Sequence, residues 1–311
     1  MDPVMIELGP LKIYWYGLFM VIGIFASFEI SKRIVKSWGL DADQLEQIGF
    51  WAVIWGVVGA RLFYVVTSPS EFVNDPVKIF QIWQGGISIH GGLLFGMVPF
   101  IWALYRYKAP ALAYFDAIAP GVGIAIALGR LGNIMNGSDT VGRLTNWPIG
   151  FTWPASASGF PGVCPGINDI SEVFTKCASD AIVRGPVHFT QFYGILIGIA
   201  LFLMCLYWLR QNRPYGYVFW NFVLWYSLFR AGLEETFRLN PLWVPVYTNT
   251  EAGIGLFTAT QIISIPLIIV AAYFVLTWKK GPRENPPLLG YGGVPVPSGS
   301  EPKPGRSERK K

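Results

Sequence analysis

Seven apolar runs, near residues 14 to 34, 47 to 68, 88 to 105, 111 to 134, 189 to 209, 216 to 236 and 254 to 278, divide this 311-residue chain. Most approach the ~20 residues needed to cross hydrocarbon roughly 30 Å thick. Inside lipid a backbone has no water to bond, so such a run closes its hydrogen bonds on itself as an α-helix. The chain therefore reads as an all-α integral membrane protein with about seven transmembrane helices. Composition agrees, since 52% of residues are hydrophobic and only 14% charged, against roughly 25% charged in ordinary soluble domains.

Lysine and arginine in the connections set the orientation, because cytoplasmic loops carry the excess positive charge. One set of connections holds Lys32, Arg33, Lys36, Arg106, Lys108, Arg210, Arg213, Lys279, Lys280 and Arg283, ten in all, and the alternate, longer set holds six: Lys12, Lys78, Arg143, Lys176, Arg184 and Arg238. The N-terminus is expected outside and the C-terminus in the cytoplasm. Residues 1 to 13 lack the basic segment and apolar core of a cleaved signal peptide, so the first helix is expected to stay. The membrane unit spans residues 1 to 280. From 281 to 311 the chain is rich in Pro, Gly and charge and reads as a disordered basic cytoplasmic tail. The connection from 137 to 187 is too long for a plain loop and reads as an outer-face cap. It holds Cys164 and Cys177, a candidate disulfide pair in an oxidising compartment, whereas Cys205 lies in an apolar run as a small buried hydrophobe.

Chemistry is concentrated where charge interrupts the apolar runs. There is no P-loop, no strand-flanked GxGxxG and no His/Cys set at metal spacing, so no nucleic-acid partner and no metal or organic cofactor is expected. Arg130 and Asn133 share one face near the end of the fourth run. Arg230 and Glu234 share a face of the sixth, Gln191 enters the fifth, Arg61 lies in the second, Ser88 and His90 open the third, and Tyr14 and Tyr16 open the first. With the orientation above, all of these fall in the outer leaflet. Singly, each has a plain alternative: an ion pair, a snorkelling arginine, a hydrogen-bonded histidine, an aromatic belt. Together, three intramembrane arginines bring about 8 to 10 kcal/mol of insertion cost, and Glu234 is the one intramembrane acid near them. Cations at headgroup depth call for an anion, and guanidinium binds phosphate by paired charge-assisted hydrogen bonds. A phospholipid headgroup follows.

The stretch Gly129-Arg130-Leu131-Gly132-Asn133-Ile134-Met135-Asn136-Gly137, followed by Gly142-Arg143, closely resembles the defining segment of the prolipoprotein diacylglyceryl transferases. Further segments resemble that family in order: Tyr14-Trp15-Tyr16-Gly17-Leu18, Gly59-Ala60-Arg61, Gly85 to Gly92, Asp116 to Pro120, His188 with Gln191 and Tyr193, Phe229-Arg230 with Glu234, and Gln261 to Ile265. The resemblance, to a divergent member, implies a multi-pass enzyme of the bacterial inner membrane with its site toward the outer leaflet. Such an enzyme moves the diacylglyceryl group of phosphatidylglycerol onto the lipobox cysteine thiol of a prolipoprotein, releasing glycerol 1-phosphate. By matched position, Arg130 and Arg230 would hold the phosphate, Asn133 and Asn136 would shape the headgroup site, Tyr16 and His90 would line the reaction centre, and Gly142 would allow close backbone approach. Arg61, Glu234, Asp139, His188 and Gln191 complete the candidate substrate-binding set.

Thiol chemistry makes similar demands. A free cysteine with pKa ~8.5 is only a few per cent thiolate at neutral pH. His90 is the candidate base, and the positive field of Arg130 and Arg230 would favour thiolate while neutralising the departing phosphate.

Departures from the family pattern concern acids. The family's Asn-Gly-Glu reads Asn136-Gly137-Ser138-Asp139 here, with one extra residue before Gly142, so Asp139 is the candidate replacement. A second family glutamate falls at Gly194, and Arg238 comes one residue late, so Glu235 with Arg238 is an alternative to Glu234 as the family pair. Three functions stay open: the transferase, a paralogue that binds phospholipid at the same site but modifies another acceptor or is inactive, and a membrane transporter or channel. Against transport, the polar groups gather at one leaflet and no half of the chain repeats the other.

Overall fold

The computed structural model describes residues 3–9, 11–73, 75–82, 86–107, 110–136, 141–154, 185–240, 242–244 and 246–277. Ser138, Asp139, Cys164, Cys177 and the tail lie outside them, as do the side chains of Ile89 and His90. The helices are α1 Trp15–Ser37, α2 Ala42–Thr67, α3 Ile89–Arg106, α4 Ala111–Asn136, α5 Thr190–Leu209, α6 Tyr217–Phe229 and α7 Ala259–Thr277. A π-turn Arg230–Glu234 and one last helical turn Glu235–Phe237 extend α6. Each α-helix corresponds to one apolar run. By length and composition α2, α4, α5 and α7 are able to cross a membrane.

Small residues decide which helices meet, because in lipid close backbone approach replaces hydrophobic driving force. A side chain at Gly121 would run into Ser27, one at Gly23 into Ala125 and one at Gly132 into Tyr16, which seats α1 along α4. Gly59 and Gly91 seat α2 on α3, and Gly123 and Gly198 seat α4 on α5. Of the four apolar spans α4 is the most enclosed and α7 the least, 50% against 11% buried over the most apolar stretch. The arginine of α4 is thus carried by the central helix.

Polar residues along the runs mostly serve the helices. Asp41 caps α2, its carboxylate accepting Gln44 N–H at 2.9 Å, a contribution of about 1 kcal/mol. Asp116, fully buried, accepts Gly216 N–H at 2.9 Å and Phe219 N–H at 2.7 Å and so caps the start of α6. Lys32 joins Glu29 and Glu46, each at 2.9 Å. Cys205 is buried in the α5–α6 core with Leu201 and Phe222, as the sequence suggests.

The all-α expectation needs one addition. Residues Val4–Leu8 (β1) pair antiparallel with Leu11–Tyr14 (β2), and Thr248–Asn249 (β3) with Ile254–Gly255 (β4). These hairpins precede α1 and α7, and β4 occupies the first residues of the run expected from 254, so the last helix begins at Ala259 instead. They lie at the end of the bundle where α4 finishes and α5 begins. The cap segment 141–154 is held there over a core of Val141, Trp153, Val187 and Leu239.

Candidate active site

Arg130 lies in the penultimate turn of α4 and Arg230 follows α6, so α4 and α6, which run parallel with α5 returning between them, bring both to one end of the bundle. Their guanidiniums converge on a single carboxylate. Arg130 Nη2 is 2.6 Å from Glu234 Oε1, and Arg230 Nη1 bonds the same oxygen. Arg230 Nη2 reaches Glu235 Oε2 at 3.2 Å. Glu234 and Glu235 are buried, at 2% and 0% exposure, so these pairs are not the weak ion pairs of a wet surface. Arg130 also donates to Asn133 Oδ1 at 3.4 Å.

The path of Arg130 depends on an absence of side chain. A Cβ at Gly194 would sit 2.7 Å from Arg130 Cγ and Nε and 2.8 Å from Cδ. The missing side chain leaves room for the arginine stem. Gln191, fully buried, lies one turn earlier on the same helix. Tyr16 packs on Gly132, so the first turn of α1 is set against the Arg130–Asn133 turn of α4. Asn136 closes α4.

Two more cations lie where the cap meets the end of the α6 extension, Arg143 from the cap and Arg238 from the extension. Arg143 N–H bonds Phe237 C=O at 2.8 Å, Gly142 bridges Arg238, and Leu239 N–H bonds Val141 C=O at 2.9 Å. Arg143 Nη2 holds Asn240 C=O at 2.9 Å, and Asn240 Nδ2 donates to Glu235. Burial, together with the nearby Arg230 and Arg130, pushes the Arg238 guanidinium down to about 10, so it stays charged at neutral pH while repelled by its neighbours. Among the described residues, four guanidiniums (Arg130, Arg143, Arg230, Arg238) face two carboxylates. The site carries surplus positive charge, the condition for taking up an anion.

Gly142 lies hard against the backbone of His188. Any side chain there would collide with the backbone carbonyl of His188. His188 itself is fully buried. Its Nε2 donates to Ala252 C=O at 2.8 Å, so Nδ1 is the acceptor, taking the Tyr193 hydroxyl at 3.1 Å. Burial lowers its pKa, which keeps the ring neutral. Both nitrogens are engaged within the protein, and the ring ties the cap to the 248–255 hairpin.

Arg61 is buried, and its described partners belong to a loop. Nε donates to Ile79 C=O at 2.9 Å, Nη1 to Gly86 C=O and Nη2 to Lys78 C=O. It gathers the loop that leads into α3. Ser88 N–H bonds Ala60 C=O at 2.9 Å, and Gly91 packs on Gly59, so the backbone at His90 is fixed against α2 beside Arg61.

The polar motifs of the sequence and the geometry thus coincide at α4, α5 and α6, and comparison with known proteins names the family. The model of "Prolipoprotein diacylglyceryl transferase" matches residues 3–277. The chain belongs to the prolipoprotein diacylglyceryl transferase family. It is 54% identical over 277 residues to the phosphatidylglycerol--prolipoprotein diacylglyceryl transferase of Thermus thermophilus, covering 89% of this chain and 98% of that one. It is 45% identical over 298 residues to the enzyme of that name from Deinococcus radiodurans, covering 92% and 87%. The enzyme of that name from Thermoanaerobacter sp. is 33% identical over 276 residues, covering 88% and 93%.

Arg143 and Asn240 beside the cluster, and Gln261 behind it, are residues that the sequence reading left outside its site, whereas Glu235 and Arg238 were weighed there only as an alternative pair. One signal was present. Thr258-Ala259-Thr260-Gln261 has the spacing of a capping box, which marks Gln261 as fixed at a helix start.

Proposed function

We propose that this protein transfers the diacylglyceryl group of phosphatidylglycerol to the lipobox cysteine of prolipoproteins. The observation that carries the reading is the convergence of Arg130 and Arg230 on buried Glu234, beside Arg143 and Arg238. In the reaction the cysteine thiolate attacks the glycerol carbon of the diacylglyceryl group. A C–S bond forms, the C–O bond to phosphate breaks, and the leaving glycerol 1-phosphate keeps the electron pair. The phosphate therefore passes from one negative charge toward two, and fixed guanidiniums bind it more strongly as the bond breaks than before, which is where binding accelerates a reaction. Arg130 and Arg230 hold the phosphate, with Asn133 and Asn136 beside it on the last turns of α4. Tyr16 borders the reaction centre, and His90 takes the thiol proton. Arg61 acts at one remove, by fixing the loop that presents His90, and His188 by fixing the cap.

The relatives' shared name supports this substrate pair, and seven apolar helices support seven spans with the arginine cluster toward the outer leaflet of the inner membrane. A transport reading has less support, because Asp116, Glu29 and Lys32, the polar groups farther along the bundle, are engaged in a helix cap and ion pairs. The test is complementation of a cell depleted of its own transferase, scored by the mass of a reporter prolipoprotein. Diacylglyceryl addition is expected; its absence from well-expressed protein contradicts the proposal.

A further inference from the structure

The helix that carries Arg230 changes pitch at that residue. Glu235 N–H, which an α-helix would give to Ala231 C=O, goes to Arg230 C=O instead. Single π-turns of this kind hold one residue more than an α-turn and recur at functional sites. The consequence is angular. At about 100° per residue, Glu234 would lie about 40° from Arg230 around the helix axis and Glu235 about 140° away. In a turn of roughly 4.4 residues the step is about 82°, which puts Glu234 about 30° to one side and Glu235 about 50° to the other. Arg230 then meets both carboxylates, as it does here.

The carbonyl that this turn frees is bonded from another helix. Gln261 Nε2 donates to Ala231 C=O at 2.9 Å and to Thr236 Oγ1 at 3.2 Å. Thr236 Oγ1 in turn donates to Gly232 C=O at 2.9 Å. The other end of the Gln261 amide is fixed in the capping box of α7, where Oε1 accepts Thr258 N–H at 3.0 Å and Thr258 Oγ1 accepts Gln261 N–H at 3.4 Å. Every polar atom of the Gln261 side chain is thus engaged with the start of α7 or with the π-turn. None of these bonds goes to Arg130 or Arg230.

We propose that Gln261 is a positioning residue of the anion site: by bonding the carbonyl freed by the π-turn, it keeps Glu234 and Glu235 on either side of Arg230. Without that bond the turn relaxes toward α, Glu235 swings away, and the fork of Arg230 loses one of the two carboxylates that orient it. This rests on the reading of Arg130 and Arg230 as phosphate ligands.

The test uses the full-length protein in vesicles containing phosphatidylglycerol, with a lipobox peptide as acceptor. For Gln261→Ala, amide exchange at Glu235 is expected to quicken and the KM for phosphatidylglycerol to rise about three- to tenfold, the worth of one hydrogen bond, with kcat moving less. Thr236→Ser keeps the hydroxyl and stays near wild type, whereas Thr236→Val shifts KM in the direction of Gln261→Ala. Unchanged exchange with KM within about twofold overturns the proposal. So does a parallel loss of kcat, KM and melting temperature, which marks Gln261 as a packing residue only. Quickened exchange with unchanged KM overturns the positioning role. If Arg130→Ala and Arg230→Ala both remain active, the phosphate reading itself has failed, and the exchange at Glu235 still decides whether Gln261 holds the turn.

Discussion

Arg61 and Arg130 are both arginines inside apolar helices, and what separates them is the kind of oxygen each is given. Arg61 is spread over the carbonyls of Lys78, Ile79 and Gly86, with its guanidinium 5.2 Å from the ring of Phe72 and 5.9 Å from that of Tyr64. Those partners are neutral and belong to the loop, so an anion can displace them only by unmaking it. Arg130 shares one carboxylate with Arg230. With Arg143 and Arg238 beside them, four guanidiniums face only Glu234 and Glu235 among the described residues, so the group keeps net positive charge for a further oxyanion. Burial and sign of charge, which a sequence displays, therefore do not distinguish a clamp from a binding site. The acceptor does.

The strongest way to break that distinction is to remove the arginines in turn. Arg130→Ala and Arg230→Ala are each expected to lower diacylglyceryl transfer by at least about 10²-fold, the scale seen when a donor aimed at developing charge is lost. Protein in the membrane should stay constant. Lysine at either position should restore little, because a point charge does not reproduce the fork. Arg61→Ala should do the reverse: stranded carbonyls cost about 1 to 3 kcal/mol, read as a lower melting temperature, with activity per folded molecule within about tenfold of wild type. If Arg61→Ala abolished transfer at unchanged stability, the two arginines would belong to one class after all.

Much of the fold was legible because lipid leaves the backbone one local solution. The apolar runs at 111 to 134 and 189 to 209 became α4 and α5 within a few residues, and the convergence of Arg130, Glu234 and Arg230 at one end follows from helix direction alone. The roles of Arg61 and His188 were not legible, because their partners are backbone carbonyls from distant loops, Gly86 and Ala252, which have no sequence signature. Nor was the pairing of Arg230 with both Glu234 and Glu235. Four-residue spacing points to Glu234 in an α-helix, and only the π-turn brings Glu235 alongside.

Two glycines sharpen the comparison at smaller amplitude. Gly194→Ala puts a methyl against the Arg130 stem, a flexible neighbour, so the strain is expected to move the guanidinium off Glu234. Transfer should fall about tenfold with little change in melting temperature, since overpacking of about 1 to 3 kcal/mol is relieved by the side chain. Gly142→Ala meets the rigid carbonyl of His188 instead. Its cost should appear mainly as lost stability. Equal thermal shifts in the two variants would show that the Arg130 stem is as fixed as backbone.

The smallest effect concerns His188, which by its partners belongs with Arg61. Its Nε2 is committed to Ala252 C=O and its Nδ1 accepts from Tyr193, so the folded protein holds the ring neutral, and burial lowers its pKa. In the unfolded chain the ring takes up a proton near pH 6.5. Below that value the unfolded state binds more protons than the folded one, and stability falls as pH falls, until the folded-state pKa is reached. The slope from this one group is at most about 1.4 kcal/mol per pH unit. In detergent, melting temperature should be flat from pH 8 to about 7 and decline toward pH 5.5, and His188→Gln should show a shallower decline from a lower starting point. Transfer at neutral pH should keep its pH profile in that variant, since a neutral ring engaged on both nitrogens has no proton to exchange with substrate. A variant whose acid slope matched wild type, or whose activity profile shifted, would move His188 from the scaffold to the reaction.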